Sequence, residues 1–151
     1  MAGSIGSASR QEYSVIGETV NLASRLEGAN KVYGSHSLVS EPTIKAAGDA
    51  IEFREIDRVV VVGQTHPEAV FEIIGRKDEI DETLLLLRDR YAEGLAAYRG
   101  RQWDDAREAF RAALELVPGD GPSTALLERI DGFQANPPQA DWDGAWRLDQ
   151  K

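Results

Sequence analysis

Asn21 and Arg25 stand four residues apart in a stretch, 18–32, whose Val20, Ala23, Leu26 and Ala29 fall near one helical face. That spacing puts an amide and a guanidinium one turn apart on the same side of a helix. An amide so placed can orient a sugar hydroxyl, and a guanidinium one turn on can grip two phosphate oxygens at once. On residue types alone, the plainer reading of the pair is a helix-surface amide and an arginine matched with a surface carboxylate. Ser14 adds a hydroxyl able to donate or accept, or else is a plain strand-edge serine. Gly17 suits a tight strand-to-helix turn, and Thr19 reads as a helix cap. His36 and His66, far apart in sequence, read as loop residues rather than catalytic groups or zinc ligands.

The elements that must carry these residues follow from pattern. Tyr13–Ile16 and Ser37–Ser40 predict short strands, and Gly34 suits the left-handed position that ends the helix between them. A second helix is expected from Ser40 or Glu41, with Pro42 in its first turn, to about Ala47. Phe53–Val62, with four consecutive valines, predicts a well-buried strand. The turn 63–67 leads to a strand over Ala69–Ile74, antiparallel to the one before it because the connection is short. Residues 1–75 therefore read as α+β, with a sheet that calls for further strands on its N-terminal side.

Beyond Gly75 the grammar changes from β-branched runs to Ala, Leu, Arg, Asp and Glu. Ile80, Leu84, Leu87, Tyr91, Leu95 and Tyr98 predict one amphipathic helix, which Leu85 and Leu86 widen toward a second neighbour. A second helix is expected from Asp104, as N-cap, to Val117, and a third from Ser123 to about Phe133. The stretch 136–146 is expected to be irregular, with Trp142 and Trp146 packed back on the helices. Gly94, Trp103, Ala106, Phe110, Ala113 and Pro118 resemble a tetratricopeptide repeat, although Tyr98 falls one residue beyond the usual aromatic place. Only one such unit is clear, so the plainer reading is a helical hairpin packed on the first half. The organisation is then 1–75, a TPR-like helical segment 76–135 and a Pro/Trp tail 136–151.

The chain has 151 residues and a net charge of −9, which argues against binding nucleic acid through bulk charge. It has no cysteine, which excludes disulfides, thiolate metal sites and a cysteine nucleophile. No apolar run approaches the ~20 residues of a membrane span, and no signal pattern opens the chain, so a cytoplasmic location without membrane contact is expected.

The segment Gly3-Ser4-Ile5-Gly6-Ser7, Arg10 and the run from Tyr13 to Glu27 closely resembles the class III adenylate/guanylate cyclase catalytic domain. The resemblance continues through Tyr33-Gly34, Val39-Ser40-Glu41, Phe53–Asp57 and Val70–Ile73, and so covers residues 3–75, the C-terminal half of that domain. It implies a partial ferredoxin-like, cyclase-type antiparallel sheet. It implies conversion of ATP to cyclic AMP and pyrophosphate, with Asn21 and Arg25 stabilising the transition state. Ser14 matches the position that reads the purine edge, and Thr19 the phosphate-facing start of the helix. Residues 137–144 and the helices before them resemble the C-terminal extension of some bacterial cyclases, in which a membrane-anchored sensor often precedes the catalytic domain.

Two departures matter. The family binds two Mg2+ or Mn2+ ions through aspartates of the N-terminal half of the domain, and nothing in residues 1–75 matches either one. Asp49 and Asp57 lie in the wrong segments and are expected on the surface. In homodimers of the family one chain supplies the aspartates and the other the Asn and Arg, so this chain would serve one side of a site, with a second copy or a complementing cyclase chain. Second, Val62 replaces the lysine that meets terminal phosphates, and weaker triphosphate binding is expected. The competing reading is a non-catalytic interaction module: a degenerate cyclase remnant with a helical docking hairpin.

Overall fold

A computed structural model describes residues 26–35, 37–60 and 65–148. Among these residues the fold is α+β, with a four-stranded mixed sheet and five α-helices. The first helix, α1, is described over 26–33 and ends where Gly34 takes φ +60°. Strand β1 (Leu38–Ser40) leads directly into α2 (Glu41–Ala47), with Ser40 at the N-cap and Pro42 in the first turn, as expected. A single 3₁₀ turn (Gly48–Ala50) precedes β2 (Ile51–Val60), which pairs antiparallel with β3 (Glu68–Arg76).

The sheet order is β1-β3-β2-β4. The last strand, β4 (Trp146–Arg147), lies in the stretch expected to be irregular. It pairs parallel with β2, Val59 opposite Trp146 and Val60 opposite Arg147. This corrects the sequence expectation: two residues are too few to show a period, and their strand character comes from the ladder they join.

Three helices follow the sheet: α3 (Glu82–Arg99), α4 (Trp103–Leu116) and α5 (Gly121–Ala135). The α3 stripe buries Leu87, Tyr91, Leu95 and Tyr98 as its spacing predicts, whereas Leu86 is exposed. Helix α4 begins with Gln102 rather than Asp104 at its N-cap, so Asp104 stands exposed in the first turn beside Asp105. Carboxylates there suit the positive end of the helix dipole without being the cap. Helix α5 begins two residues before the expected Ser123, because Asp120 caps it by accepting from the Ser123 N–H and Pro122 fits its first turn.

The close approach of α3 and α4 depends on Gly94. A Cβ at that position would lie 2.7 Å from the Phe110 ring, so the ring occupies the space a side chain would take. Tyr91 tilts against the same ring at 5.2 Å. Tyr98, Trp103, Phe133 and Trp142 form an aromatic cluster with centroids 5.3–6.1 Å apart, which brings the tail back onto the helices as expected for Trp142. One core runs through both halves: Ala29, Tyr33, Ile56 and Val70 share it with Tyr91, Phe110, Leu126 and Ile130.

Candidate functional site

Strand β2 begins with alternation: Arg54 and Ile56 face inward, Phe53 and Glu55 are half-buried. A strict period of two would then turn Asp57 outward. Instead the β2–β3 register shifts between Glu55 and Asp57, an irregularity that re-aims the next side chain. Asp57 becomes fully buried, not a surface residue as expected from sequence, while Asp49 is exposed. The Ile56 carbonyl at the shift is satisfied by the Tyr91 hydroxyl of α3, which donates to it at 2.6 Å.

Every oxygen of Asp57 is engaged. Oδ2 accepts from the Tyr33 hydroxyl at 2.5 Å and from Arg129 Nη1 at 2.6 Å, and Oδ1 accepts from the Arg58 N–H at 2.7 Å. Arg129 also donates to the hydroxyls of Tyr98 and Tyr33, each at 3.3 Å. Trp146 covers its guanidinium, 3.9 Å from the ring centroid. Burial pushes the Tyr33 hydroxyl well above its ordinary range, and the Asp57 charge adds to that. Burial likewise raises Tyr98, to about 12, against the opposing pull of Arg129. Burial alone would lower Arg129, but Tyr33, Asp57 and Tyr98 outweigh it and hold the guanidinium charged.

A second buried pair lies one pleat away. Arg54 forks onto Asp120, Nη1 to Oδ2 at 3.1 Å and Nη2 to Oδ1 at 2.5 Å, and donates through Nε and Nη2 to Glu72 Oε1. Glu72 Oε2 accepts from the Ser35 hydroxyl at 2.8 Å, and Asp120 also accepts from the Ser123 hydroxyl. Burial opposes the charge on Arg54, yet Asp120 and Glu72 more than offset it and raise its pKa.

Both networks converge on the end of α1. Tyr33 enters the first and Ser35 the second. Asn30 Oδ1 accepts from the Leu38 N–H, which ties α1 to β1. Gly121, the first residue of α5, lies so close that a Cβ there would clash with the Tyr33 carbonyl and approach the Gly34 oxygen to 2.7 Å. Helix α5 is thus seated directly on the terminus of α1.

These groups hold; they do not react. Asp57 accepts three hydrogen bonds and faces Arg129, and Arg54 is matched by Asp120 and Glu72. A cleft between β2 and α3 presents Arg88 and Arg99, but these pair with Glu52 and Glu55 at 2.5 Å each. Among the described residues no three of His, Cys, Asp or Glu stand close enough to hold a metal ion. Ser14, Gly17, Thr19, Asn21 and Arg25 lie outside the described residues, as do His36 and Val62. His66 is exposed, as expected for a turn. Asp57, Arg129, Arg54 and Asp120 were not singled out as site residues by sequence reasoning. The one local signal for them is Asp120 before Gly-Pro, a capping pattern.

No helix among the described residues is long and apolar enough to cross a membrane. No protein-family model matches the chain, and no solved structure does. Three curated relatives do. The chain is 29% identical over 131 residues to "Adenylate cyclase, terminal-differentiation specific" of Dictyostelium discoideum, a match that takes in 84% of the chain and 6% of that protein. It is 36% identical over 75 residues to "Adenylate cyclase 1" of Rhizobium meliloti (strain 1021), 50% of the chain and 11% of that protein. It is 35% identical over 74 residues to "Adenylate cyclase" of Anabaena cylindrica, 47% of the chain and 15% of that protein. The chain therefore spans only a small part of the length of each. A match over 84% of the chain cannot stop at the sheet; it must extend through α3 and α4. These similarities support a relationship between this chain and adenylate cyclases.

Proposed function

We propose that the chain is the C-terminal part of an adenylate cyclase catalytic unit, and that the assembled enzyme closes ATP to 3′,5′-cyclic AMP with loss of pyrophosphate. The observation that carries this reading is the similarity to three adenylate cyclases, one of them over 84% of the chain. The ribose 3′-oxygen attacks the α-phosphorus, and negative charge spreads over the transferring group and the leaving pyrophosphate. Asn21 orients the ribose, and Arg25 holds phosphate oxygens as that charge develops. Ser14 contacts adenine, Thr19 faces the phosphates and Gly17 makes the turn between them. Mg2+ or Mn2+ supplies charge neutralisation when bound, on aspartates of the preceding half of the domain rather than on residues of this chain. The first 75 residues form the cyclase-type, ferredoxin-like half, and α3–α4 a TPR-like hairpin. The unit works in the cytoplasm as a homodimer or with a complementing cyclase chain, and the 151 residues alone are inactive.

A partner chain that carries the metal-binding aspartates and lacks the Asn and Arg tests this. Cyclic AMP is expected on mixing, none from either chain alone, and none with Arg25→Ala. Val62 in place of a phosphate-binding lysine favours a second reading, a non-catalytic docking module. A silent mixture of two folded chains would favour it.

A further inference from the structure

We infer that the helical extension is a positioning device for the site. Through Arg129 and Gly121, α5 fixes the end of α1, the helix that the sequence pattern predicts to run back through Arg25 and Asn21. The inference rests on the cyclase reading. Three independent contacts carry it, all at the same place. The Tyr33 hydroxyl is locked between Asp57 and Arg129. Ser35 is tied through Glu72 and Arg54 to Asp120, the cap of α5. Gly121 meets the Tyr33 and Gly34 carbonyls at a distance that admits no side chain. Trp146 closes over Arg129, so the tail belongs to the same clamp.

A helix transmits such a constraint because it is stiff. The sequence predicts that α1 begins near Glu18, and eight residues of helix amount to about 12 Å. A tilt of about 5° at Tyr33 would displace a group that far away by about 1 Å, a misplacement that can cost about 100-fold in rate. Neither Tyr33 nor Arg129 is a catalytic residue; both act through the helix.

Tyr33→Phe removes one hydroxyl and keeps the ring in the core. The test uses the full 151-residue chain with the complementing partner and MgATP as substrate. The expected result is a kcat about tenfold lower with KM changed less than about twofold, the mark of lost transition-state alignment rather than lost binding. Amide hydrogen exchange should quicken in 26–33 and stay unchanged in α3 and α4. Gly121→Ala, which forces α5 and α1 apart, should give the same pattern. Wild-type kcat and wild-type exchange in both variants would overturn the inference and leave the cyclase reading intact. A fall in kcat accompanied by equal loss of protection in α3 and α4 would also overturn it, because general destabilisation would then be the cause. No cyclic AMP from the wild-type mixture would overturn the cyclase reading and the inference together.

Discussion

Asp57 and Arg129 lie 72 residues apart in sequence and 2.6 Å apart in space, with Asp57 fully buried and Arg129 8% exposed. A pair so placed is costly to break from one side, because the survivor keeps its charge without its counterion. Arg129→Met should cost about 3–5 kcal/mol. Adding Asp57→Leu to it should recover part of that loss. A double-mutant cycle by urea unfolding measures both, and strict additivity would show that the two residues do not form a coupled pair.

Asp120 does two things at once, and they separate by substitution. Asp120→Asn keeps an oxygen for the Ser123 N–H but gives up the charge facing Arg54. Asp120→Ala loses both. We expect Ala to be the more damaging by about 1 kcal/mol, the usual worth of an N-cap. Denaturant midpoints of the two variants decide this.

Gly94→Ala should destabilise by about 1–3 kcal/mol, since a methyl would need the space held by Phe110. Phe110→Leu in the same chain should return part of the loss, and a thermal melt of the single and double variants provides the comparison.

Alkaline pH should loosen the fold. Tyr33, Tyr91 and Tyr98 all have raised pKa values in the folded chain, chiefly through burial. Below about pH 10 folded and unfolded chains both keep these protons, and the stability is fully present. As pH rises from 10 the unfolded chain releases them first, so stability falls, by about 1.4 kcal/mol per pH unit for each tyrosine. For Tyr98 the loss is complete near its folded value of about 12. Urea midpoints at pH 8, 10 and 11 should decline, and tyrosinate absorbance should rise together with unfolding rather than before it.

The parts of this fold that were legible in sequence are those with a period. The α3 stripe, the proline-started α2 and the β2–β3 hairpin are all written in spacing that one element carries by itself. Asp57 was not legible, because its burial depends on a register shift in β2 and on an arginine 72 residues further along the chain. Arg129 stands between Glu128 and Ile130, and nothing in that segment names Asp57 as its partner until α5 is laid against α1. Of the site proper, the Asn21–Arg25 spacing and its neighbours remain a sequence argument, since they lie outside the described residues. The structure adds what holds the helix after them.

The short pairing of Trp146 and Arg147 with Val59 and Val60 also guards the molecule against itself. Among the described residues it covers the side of β2 that faces away from β3, at the valine-rich end, with the Leu148 N–H donating to the Val60 carbonyl. A protease that clipped the chain between Pro138 and Trp146 would release this cover. It would leave a row of free backbone donors and acceptors beside apolar side chains, a template on which a second molecule can add a strand. Handling of the protein should therefore show self-association that tracks tail cleavage and leaves the intact chain in solution.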